Sequence, residues 1–365
     1  MKKIYSLLLA GAMILCACQK EGPSVPPAPS RLPAEICQAF AEKYQGVFQL
    51  NEGQMGTNTA TLDFLRFDNG HYSRNIFQAS GRSYPLGDVG NDVAIIGNEL
   101  WMVVNESGIV QVISTTDCSE IAAIDVPQPR FITYDDAYVY VSSYAKISPE
   151  SPQGSVYRIN RSTKKVVQSL AVGAYPEGIA YYNNKIYVAI SGYGADNKVS
   201  VIKTDTFDDV ENIEVGINPK IVISDGAGTI FVTTLGDYAN NHSSLWAINA
   251  SSKIASKEVD YVTAVSVLGQ TVYGIGTENE YLWNEPKEYF AWSFTLLGGY
   301  KKLSSPTMTG MYLSDLCVLS VGDNYLWMVT DKGDCVNPGR LDFYWKGEKA
   351  WSTMTGICPG RFAAL

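Results

Sequence analysis

A short strand pattern recurs seven times along this chain, and that repetition constrains the fold more than any other feature. Each copy places an aromatic residue between apolar neighbours, as in GVFQLN, KIYVAIS and YLWMVTD. The aromatic positions are Phe48, Trp101, Tyr140, Tyr187, Phe231, Tyr273 and Trp327. Successive members are 53, 39, 47, 44, 42 and 54 residues apart. A period of roughly 40 to 50 residues is typical of the four-stranded blades of a β-propeller.

Two further series of segments support this interpretation. After each copy and a variable loop comes a segment that alternates apolar and polar residues, as in GIVQVIST and NKVSVIKT, which is the period of a half-buried strand. Before several copies comes a segment with an early proline, as in QPRFITY, YPEGIAYY, NPKIVISD and CPGRFAAL. Proline is tolerated at the first residue of a strand. Seven copies of the first two patterns predict seven blades.

The two ends of the repeat complement each other. The last proline segment, Cys358 to Leu365, has no strands after it, whereas the first blade, which starts near Gly46, lacks a leading strand. We therefore predict an all-β, seven-bladed β-propeller over residues 34–365, closed by the C-terminal strand pairing with the N-terminal blade. Closure of this kind removes sheet edges that would otherwise aggregate. Apolar residues at helical spacing in Ala34 to Tyr44 predict a short helix before the ring.

The N-terminus has the order of an export signal. Lys2 and Lys3 precede an apolar run from Ile4 to Leu15 that is too short for a permanent membrane span. The LCAC sequence that follows is similar to a bacterial lipobox, so we expect residues 1–17 to be a lipoprotein signal peptide and Cys18 to be acylated. The Pro-rich and Ser-rich residues 18–33 are then a flexible tether. The alternative is an ordinary secretion signal, which needs no cysteine at this point.

Charge and cysteine content narrow the function further. The formal net charge of −9 becomes −11 when the two lysines of the signal are removed, which disfavours binding to nucleic acid. Of the seven cysteines, five remain after loss of Cys16 and acylation of Cys18, so at least one is unpaired. Their spacings match no metal signature. Export permits disulfides, and Cys335 with Cys358 is one candidate pair.

The loops between second and third strands carry aromatic residues that an alternating strand core does not explain. In a propeller these loops project to one end of the central channel, and loop residues bear function disproportionately. Tyr144, Tyr193, Tyr238, Tyr281 and Trp283 are therefore candidate ligand-binding residues. Aromatic rings mixed with amides and carboxylates suit a large, partly apolar ligand. The alternative is that these rings only pack against neighbouring loops.

The chain offers few residues for catalysis or metal binding. Only His71 and His242 are present, and a solvated loop histidine explains His242 more simply than a constellation with Ser243 and Asp237. In the last joining loop, Asp331 joins the ligand-binding candidates, and the TDKGD sequence there could hold a cation, although it matches no complete calcium loop. Residues 87–92, GDVGND, are predicted to form a turn in which aspartates cap local amides.

The segment NEGQMGTNTATLDF at Asn51 to Phe64, followed by LGDVGND at Leu86 to Asp92, resembles the opening of the YncE-like propeller lipoproteins related to BtuG. That resemblance implies a lipid-anchored protein on the outer membrane of a Gram-negative bacterium. It implies capture of vitamin B12 or another corrinoid, and delivery to a BtuB-like, TonB-dependent outer-membrane transporter, with no cofactor and no catalysis. Within the shared motif it implies ligand contacts at Asn51, Glu52, Met55 and Asn58.

Two other classes of function are compatible with the same residues. One is a propeller scaffold that binds a protein or a glycan through the aromatic loops. The other is an enzyme resembling the sugar-lactone hydrolases built on the same plan, which would require a metal or an acid–base cluster in the channel.

Overall fold

The computed structural model describes residues 31–282 and 284–365, which form seven four-stranded antiparallel sheets around a central channel. The predicted signal peptide, Cys18, most of the tether and Trp283 lie outside the described residues. In the described part of the chain, no helix has the length and apolar character needed to span a membrane.

Each sheet is one blade, numbered here in chain order. Blade 1 contains β1 (Gly46–Asn51), β2 (Thr61–Arg66) and β3 (Tyr72–Ser73). Blade 2 contains β4 (Gly90–Ile96), β5 (Glu99–Val104), β6 (Ile109–Ser114) and β7 (Glu120–Asp125). Blade 3 contains β8 (Pro129–Tyr134), β9 (Tyr138–Ser143), β10 (Ser155–Asn160) and β11 (Lys165–Ala171). Blade 4 contains β12 (Pro176–Tyr182), β13 (Lys185–Ile190), β14 (Lys198–Lys203) and β15 (Val210–Glu214).

Blades 6 and 7 include longer strands than blade 5. Blade 5 contains β16 (Pro219–Ser224), β17 (Thr229–Thr234), β18 (Ser244–Asn249) and β19 (Ala255–Asp260). Blade 6 contains β20 (Ala264–Leu268), β21 (Thr271–Gly276), β22 (Lys287–Thr295) and β23 (Gly299–Gly310). Blade 7 contains β24 (Leu313–Val321), β25 (Asn324–Asp331), β26 (Pro338–Trp345) and β27 (Glu348–Ile357). The remaining elements are helices α1 (Ala34–Phe40) and α2 (Ile76–Ala79), a 3-10 turn at Gly192–Gly194, and β28 (Pro359–Ala364).

The C-terminal strand closes the ring. β28 pairs antiparallel with β1, with Val47 opposite Ala364 and Gln49 opposite Phe362, so it is the innermost strand of blade 1. This confirms both the seven-bladed fold and the predicted closure. A disulfide between Cys335 and Cys358 ties the loop after β25 to the start of β28, which confirms that candidate pair.

The repeated aromatic residues form the core between blades. Phe48, Trp101, Tyr187 and Phe231 are fully buried on the second strand of their blades, and Tyr273 is partly buried against the core. Their structural role confirms the interpretation of the repeat as core rather than ligand contacts. Aromatic residues at these positions bury large apolar areas, which stabilises the contact between sheets.

Helix α1 packs at the joint between the first and last blades. Phe40 is fully buried, with its ring 5.7 Å from the ring of Phe67 in blade 1 and 5.5 Å from that of Trp345 in blade 7. Ile36, one turn earlier, is buried in the same cluster. The predicted helix is therefore present, and it covers the seam at which the ring closes.

The segment GDVGND is only partly the turn expected of it. Gly87 (φ +137°) and Val89 (φ +59°) have the left-handed backbone of a turn, but β4 begins at Gly90. The prediction is wrong for Asp92, because this residue lies on an inner strand and its carboxylate accepts the backbone N–H of Ile132 in blade 3 at 3.0 Å. Asp88 accepts the backbone N–H of Gly56 at 2.7 Å, so it links two loops rather than capping its own turn.

Candidate functional site at the channel mouth

One end of the channel gathers the starts of the inner strands and the loops between second and third strands. We call this end the mouth. It opens into a cavity of about 400 Å³, here named the central cavity, with walls from blades 1, 2, 3, 5, 6 and 7. Its charged lining residues are Glu52, Arg130, Lys220, Asp315, Lys332 and Arg361.

Three of the four cationic residues follow a proline that begins an inner strand. Arg130 directly follows Pro129, Lys220 directly follows Pro219, and Arg361 lies two residues after Pro359. Because each proline begins an inner strand, the next residues stand at the mouth end of the channel. These residues were not predicted as site residues, although a charged residue follows each strand-initiating proline in the sequence.

Blade 4 supplies a buried carboxylate between two of these cations. Glu177, which directly follows Pro176, accepts from Arg130 at 3.0 Å and from Lys220 at 2.9 Å. The hydroxyl of Tyr144 also donates to Glu177. Burial raises the pKa of the Glu177 carboxyl, but Lys220 and Arg130 outweigh burial and hold that pKa below its ordinary value. Glu177 is therefore an ionised anchor behind the wall of the cavity.

The other two cations bridge the closing blade to its neighbours. Arg361 of β28 lies 3.3 Å from the carboxylate of Asp315 in blade 7 and 3.8 Å from that of Asp92 in blade 2. Burial raises the pKa of Asp92 to about 6, and the guanidinium of Arg361 opposes that rise. Lys332 of blade 7 forms an ion pair with Glu52 of blade 1.

A smaller pocket of about 130 Å³ adjoins the central cavity. Its lining includes Tyr238, Tyr281, Tyr289 and Tyr312, and we call it the tyrosine pocket. The two cavities share wall residues from blades 5, 6 and 7, including Leu235, Val262, Thr263, Tyr312 and Ser314. The mouth thus combines a charged centre with an aromatic side.

Five predicted residues lie at the mouth with exposed or half-exposed side chains. Glu52 and Met55 line the central cavity, and Met55 is 70% exposed. Tyr238 and Tyr281, 54% and 37% exposed, line the tyrosine pocket with their ring centres 6.5 Å apart. Tyr193 is 82% exposed, 5.2 Å from the ring of Tyr175.

The side chains of the other predicted residues in the described part of the chain line neither the central cavity nor the tyrosine pocket. Tyr144 packs edge-on against Tyr175 and beneath Arg130, so it supports the wall of the cavity. Asn51 is fully buried and donates to the hydroxyl of Thr61 at 3.0 Å. Asn58 lines a separate pocket between blades 1 and 7.

Asp331 stabilises a loop of blade 7. Its carboxylate accepts the backbone N–H groups of Met311 and Tyr312 at 3.1 Å and 2.9 Å and pairs with Arg340 at 3.1 Å. Among the residues that the structure describes, no three His, Cys, Asp or Glu side chains lie close enough together to hold a metal ion. Asp334 of the same TDKGD sequence accepts the backbone N–H groups of Val336 and Asn337, so both of its aspartates bind loop backbone.

His242 and Ser243 both contact the carboxylate of Glu280. Nδ1 of His242 lies 3.0 Å from one oxygen of Glu280, and the hydroxyl of Ser243 donates to the other oxygen. Asp237 instead accepts the backbone N–H groups of residues 239–241. Ser243 and His242 thus share an acceptor, whereas a serine nucleophile needs its hydroxyl to donate to the histidine.

Comparison with solved structures supports the fold alone. A protein of unknown function from Desulfotomaculum acetoxidans has a TM-score of 0.62 and 12% identity, over 88% of this chain and 98% of the other. A proposed 6-phosphogluconolactonase from Bacteroides fragilis has a TM-score of 0.59 and 10% identity over the same shares. A quinoprotein alcohol dehydrogenase-like protein from Bacteroides thetaiotaomicron has a TM-score of 0.58 and 13% identity, over 88% and 78%.

Sequence comparison identifies a family without a named activity. No curated protein matches this chain. The sequence model of a domain of unknown function, DUF5074, matches residues 45–285, which is more than half of the chain and runs from blade 1 into blade 6. This β-propeller therefore belongs to the DUF5074 family.

Proposed function

We propose that this protein is a non-enzymatic capture protein that binds vitamin B12 or a related corrinoid across the mouth of the propeller. In this proposal, acylated Cys18 anchors it to the outer membrane, where it passes the corrinoid to a TonB-dependent transporter. The observation that carries the proposal is the pairing of exposed tyrosines with a polar cavity on one face.

The chemistry of a corrinoid suits such a face. Its broad, flat ring requires a surface for stacking, and its fringe of amides requires many donors and acceptors. The rings of Tyr238 and Tyr281 and the thioether of Met55 offer apolar contact. The charged groups of the central cavity and bridging waters could pair with the amides. Because a corrinoid is broader than either cavity, it would lie over the mouth.

Polar groups in the tyrosine pocket favour binding over catalysis. Glu280 is the shared acceptor of Ser243 and His242, so its carboxylate is already engaged in holding the loop. An oxygen-rich, hydrogen-bonded rim of this kind orients a ligand without activating a nucleophile.

Calorimetric titration of the purified protein with cyanocobalamin tests the proposal. We expect saturable heat at micromolar protein, together with a change in the visible spectrum of the corrinoid. Tyr238→Ala and Tyr281→Ala should each weaken binding about three- to tenfold, the range expected for loss of one aromatic contact. The matched control is Tyr134→Ala, which removes a tyrosine of similar exposure, 40%, from the opposite end of β8. Absence of heat and of spectral change would contradict the proposal.

A further inference from the structure

The central cavity concentrates positive charge in a protein that is negative overall. The chain has a formal net charge of −9, yet four cations from blades 1, 3, 5 and 7 line this one cavity. Their side chains are 12% to 29% exposed, so solvent screens them weakly. The lining also contains two carboxylates, Glu52 and Asp315, so its cations outnumber its anions by two. A concave surface with an excess of one sign focuses the electrostatic field and attracts ions of opposite sign.

Three of the four cations converge on one aromatic ring. The charged groups of Arg130, Lys220 and Arg361 lie 5.9, 5.7 and 5.1 Å from the ring centre of Phe131. None of the three is therefore more than about 12 Å from another. Arg130 and Lys220 also bind the two oxygens of the same Glu177 carboxylate, so these two charged groups are close enough for one small ligand to contact both.

Two of these cations outnumber their carboxylate partner, whereas Arg361 faces the carboxylates of both Asp315 and Asp92. Arg130 and Lys220 share the single carboxylate of Glu177, which lies behind the cavity wall. Burial and repulsion from Arg130 and Arg361 together hold the pKa of Lys220 below its ordinary value, despite the attraction of Glu177. An anion in the cavity would relieve this repulsion.

We propose that the central cavity binds an oxyanion group, a phosphate or a carboxylate, through Arg130, Lys220 and Arg361. Guanidinium groups bind such oxyanions through paired, charge-assisted hydrogen bonds. At about 400 Å³ the cavity also has room for a body attached to the anion. This site is distinct from the stacking surface of the tyrosine pocket, and it does not depend on corrinoid capture.

Titration of the full chain with inorganic phosphate at low ionic strength tests the site. We expect saturable binding that weakens as salt is added. Lys220→Gln and Arg361→Gln should each weaken phosphate binding at least about tenfold, because each removes a charged hydrogen-bond donor. The charge-conserving Lys220→Arg should restore most of the affinity. The control Lys253→Gln removes a lysine paired with Glu211, away from the channel, and should bind phosphate like the wild type.

Thermal melting of each variant separates loss of binding from loss of fold. A folded Lys220→Gln variant with wild-type phosphate affinity would overturn the inference. Absence of saturable phosphate binding by the wild type would overturn it as well, even if cyanocobalamin still binds. Phosphate binding without any corrinoid binding would support this site while contradicting the proposed function, so the two failures are distinguishable.

A competition experiment identifies the source of the anion. If the cavity holds the phosphodiester of a corrinoid, phosphate should compete with cyanocobalamin but not with dicyanocobinamide, which lacks that group. If the natural anion is free in solution, phosphate should bind without affecting either corrinoid. Both results support the anion site and differ only in the source they assign to its ligand.

Discussion

Blade 1 differs from the other six blades in how its sheet is assembled. In blades 2 to 7 the four strands are consecutive along the chain, whereas blade 1 takes its inner strand from the C-terminus, more than 300 residues after β1. Consecutive strands are joined by short loops. The pairing of β1 with β28 instead closes a loop that contains almost the whole chain, and the entropic cost of closing a loop rises with its length. We call the contact of β28 with β1 and blade 7 the closing joint. Pairing between strands that are neighbours in sequence contributes less to its stability than to that of the other blades.

The same joint builds part of the mouth. Arg361 lies on β28, and the ion pair of Lys332 with Glu52 crosses from blade 7 to blade 1. A disulfide and helix α1 brace the joint from either side. Opening the ring should thus dismantle the central cavity, whereas damage within one consecutive blade need not.

The largest expected effect comes from removing the closing strand. Deletion of residues 358–365 takes away β28, Arg361 and half of the disulfide, and it leaves β1 as an unpaired edge. We expect loss of cooperative thermal unfolding, measured by circular dichroism, and aggregation on size-exclusion chromatography, because exposed edges pair between molecules. A truncated protein that melts like the full-length one would contradict the role of the joint.

A smaller but still large effect should follow from Phe40→Ala. This change empties a fully buried site between Phe67 of blade 1 and Trp345 of blade 7. Urea denaturation should show a loss of about 3–5 kcal/mol in the free energy of unfolding. The control Lys346→Gln breaks an exposed ion pair with Glu35 in the same helix and should change stability by less than about 0.5 kcal/mol. Equal effects of the two changes would show that α1 does not brace the joint through its apolar contacts.

Loss of the disulfide should have the next largest effect. Replacing both Cys335 and Cys358 with serine removes a covalent link across the joint with a sequence separation of 23. We expect destabilisation of about 2–4 kcal/mol in urea, while replacing the free Cys118 with serine should have little effect. An unchanged midpoint for the double variant would mean that packing alone holds the joint.

The smallest expected effect is a pH dependence at Asp92, beside the closing strand. Burial raises the pKa of Asp92 from 3.8 to about 6. Between these two pH values the folded protein therefore holds a proton on Asp92 that the unfolded chain releases. The stabilising contribution is full below about pH 4 and is lost as pH rises through about 6. Relative to Asp92→Asn, the wild type should lose on the order of 2 kcal/mol between pH 4 and pH 7.

Urea denaturation across that pH range measures this difference. Asparagine can still accept the backbone N–H of Ile132, so the variant should fold. The exposed Asp136→Asn is the control and should follow the pH profile of the wild type. Parallel profiles for the wild type and Asp92→Asn would contradict the effect of burial on Asp92.

Much of the fold was predictable because the repeat is strongly periodic. The aromatic strand pattern located all seven blades, and the unmatched segments at the two ends predicted the closure. The inner strands β4, β20 and β24 were expected from the four-stranded blade but not located, because none begins with a proline and because the glycines of GDVGND were interpreted as a turn.

The candidate site was predicted less completely. The loops between second and third strands do place Met55, Tyr238 and Tyr281 at the mouth, while their role as ligand contacts stays a prediction. Loop position could not show that Asn51 and Asp331 are buried in hydrogen bonds, because side-chain direction depends on strand pairing in three dimensions. The sequence did not predict that Arg130, Lys220 and Arg361 lie around one cavity. Their blades are distant along the chain and come together only when the ring closes.

A crystal structure of the protein with cyanocobalamin tests the central claim most directly. We predict electron density for the corrin ring over the mouth, in contact with Tyr238 and Tyr281 and above the central cavity. Density for the ring at the opposite end of the channel, or on the outer edge of a blade, would contradict the claim that this propeller captures its ligand at the mouth.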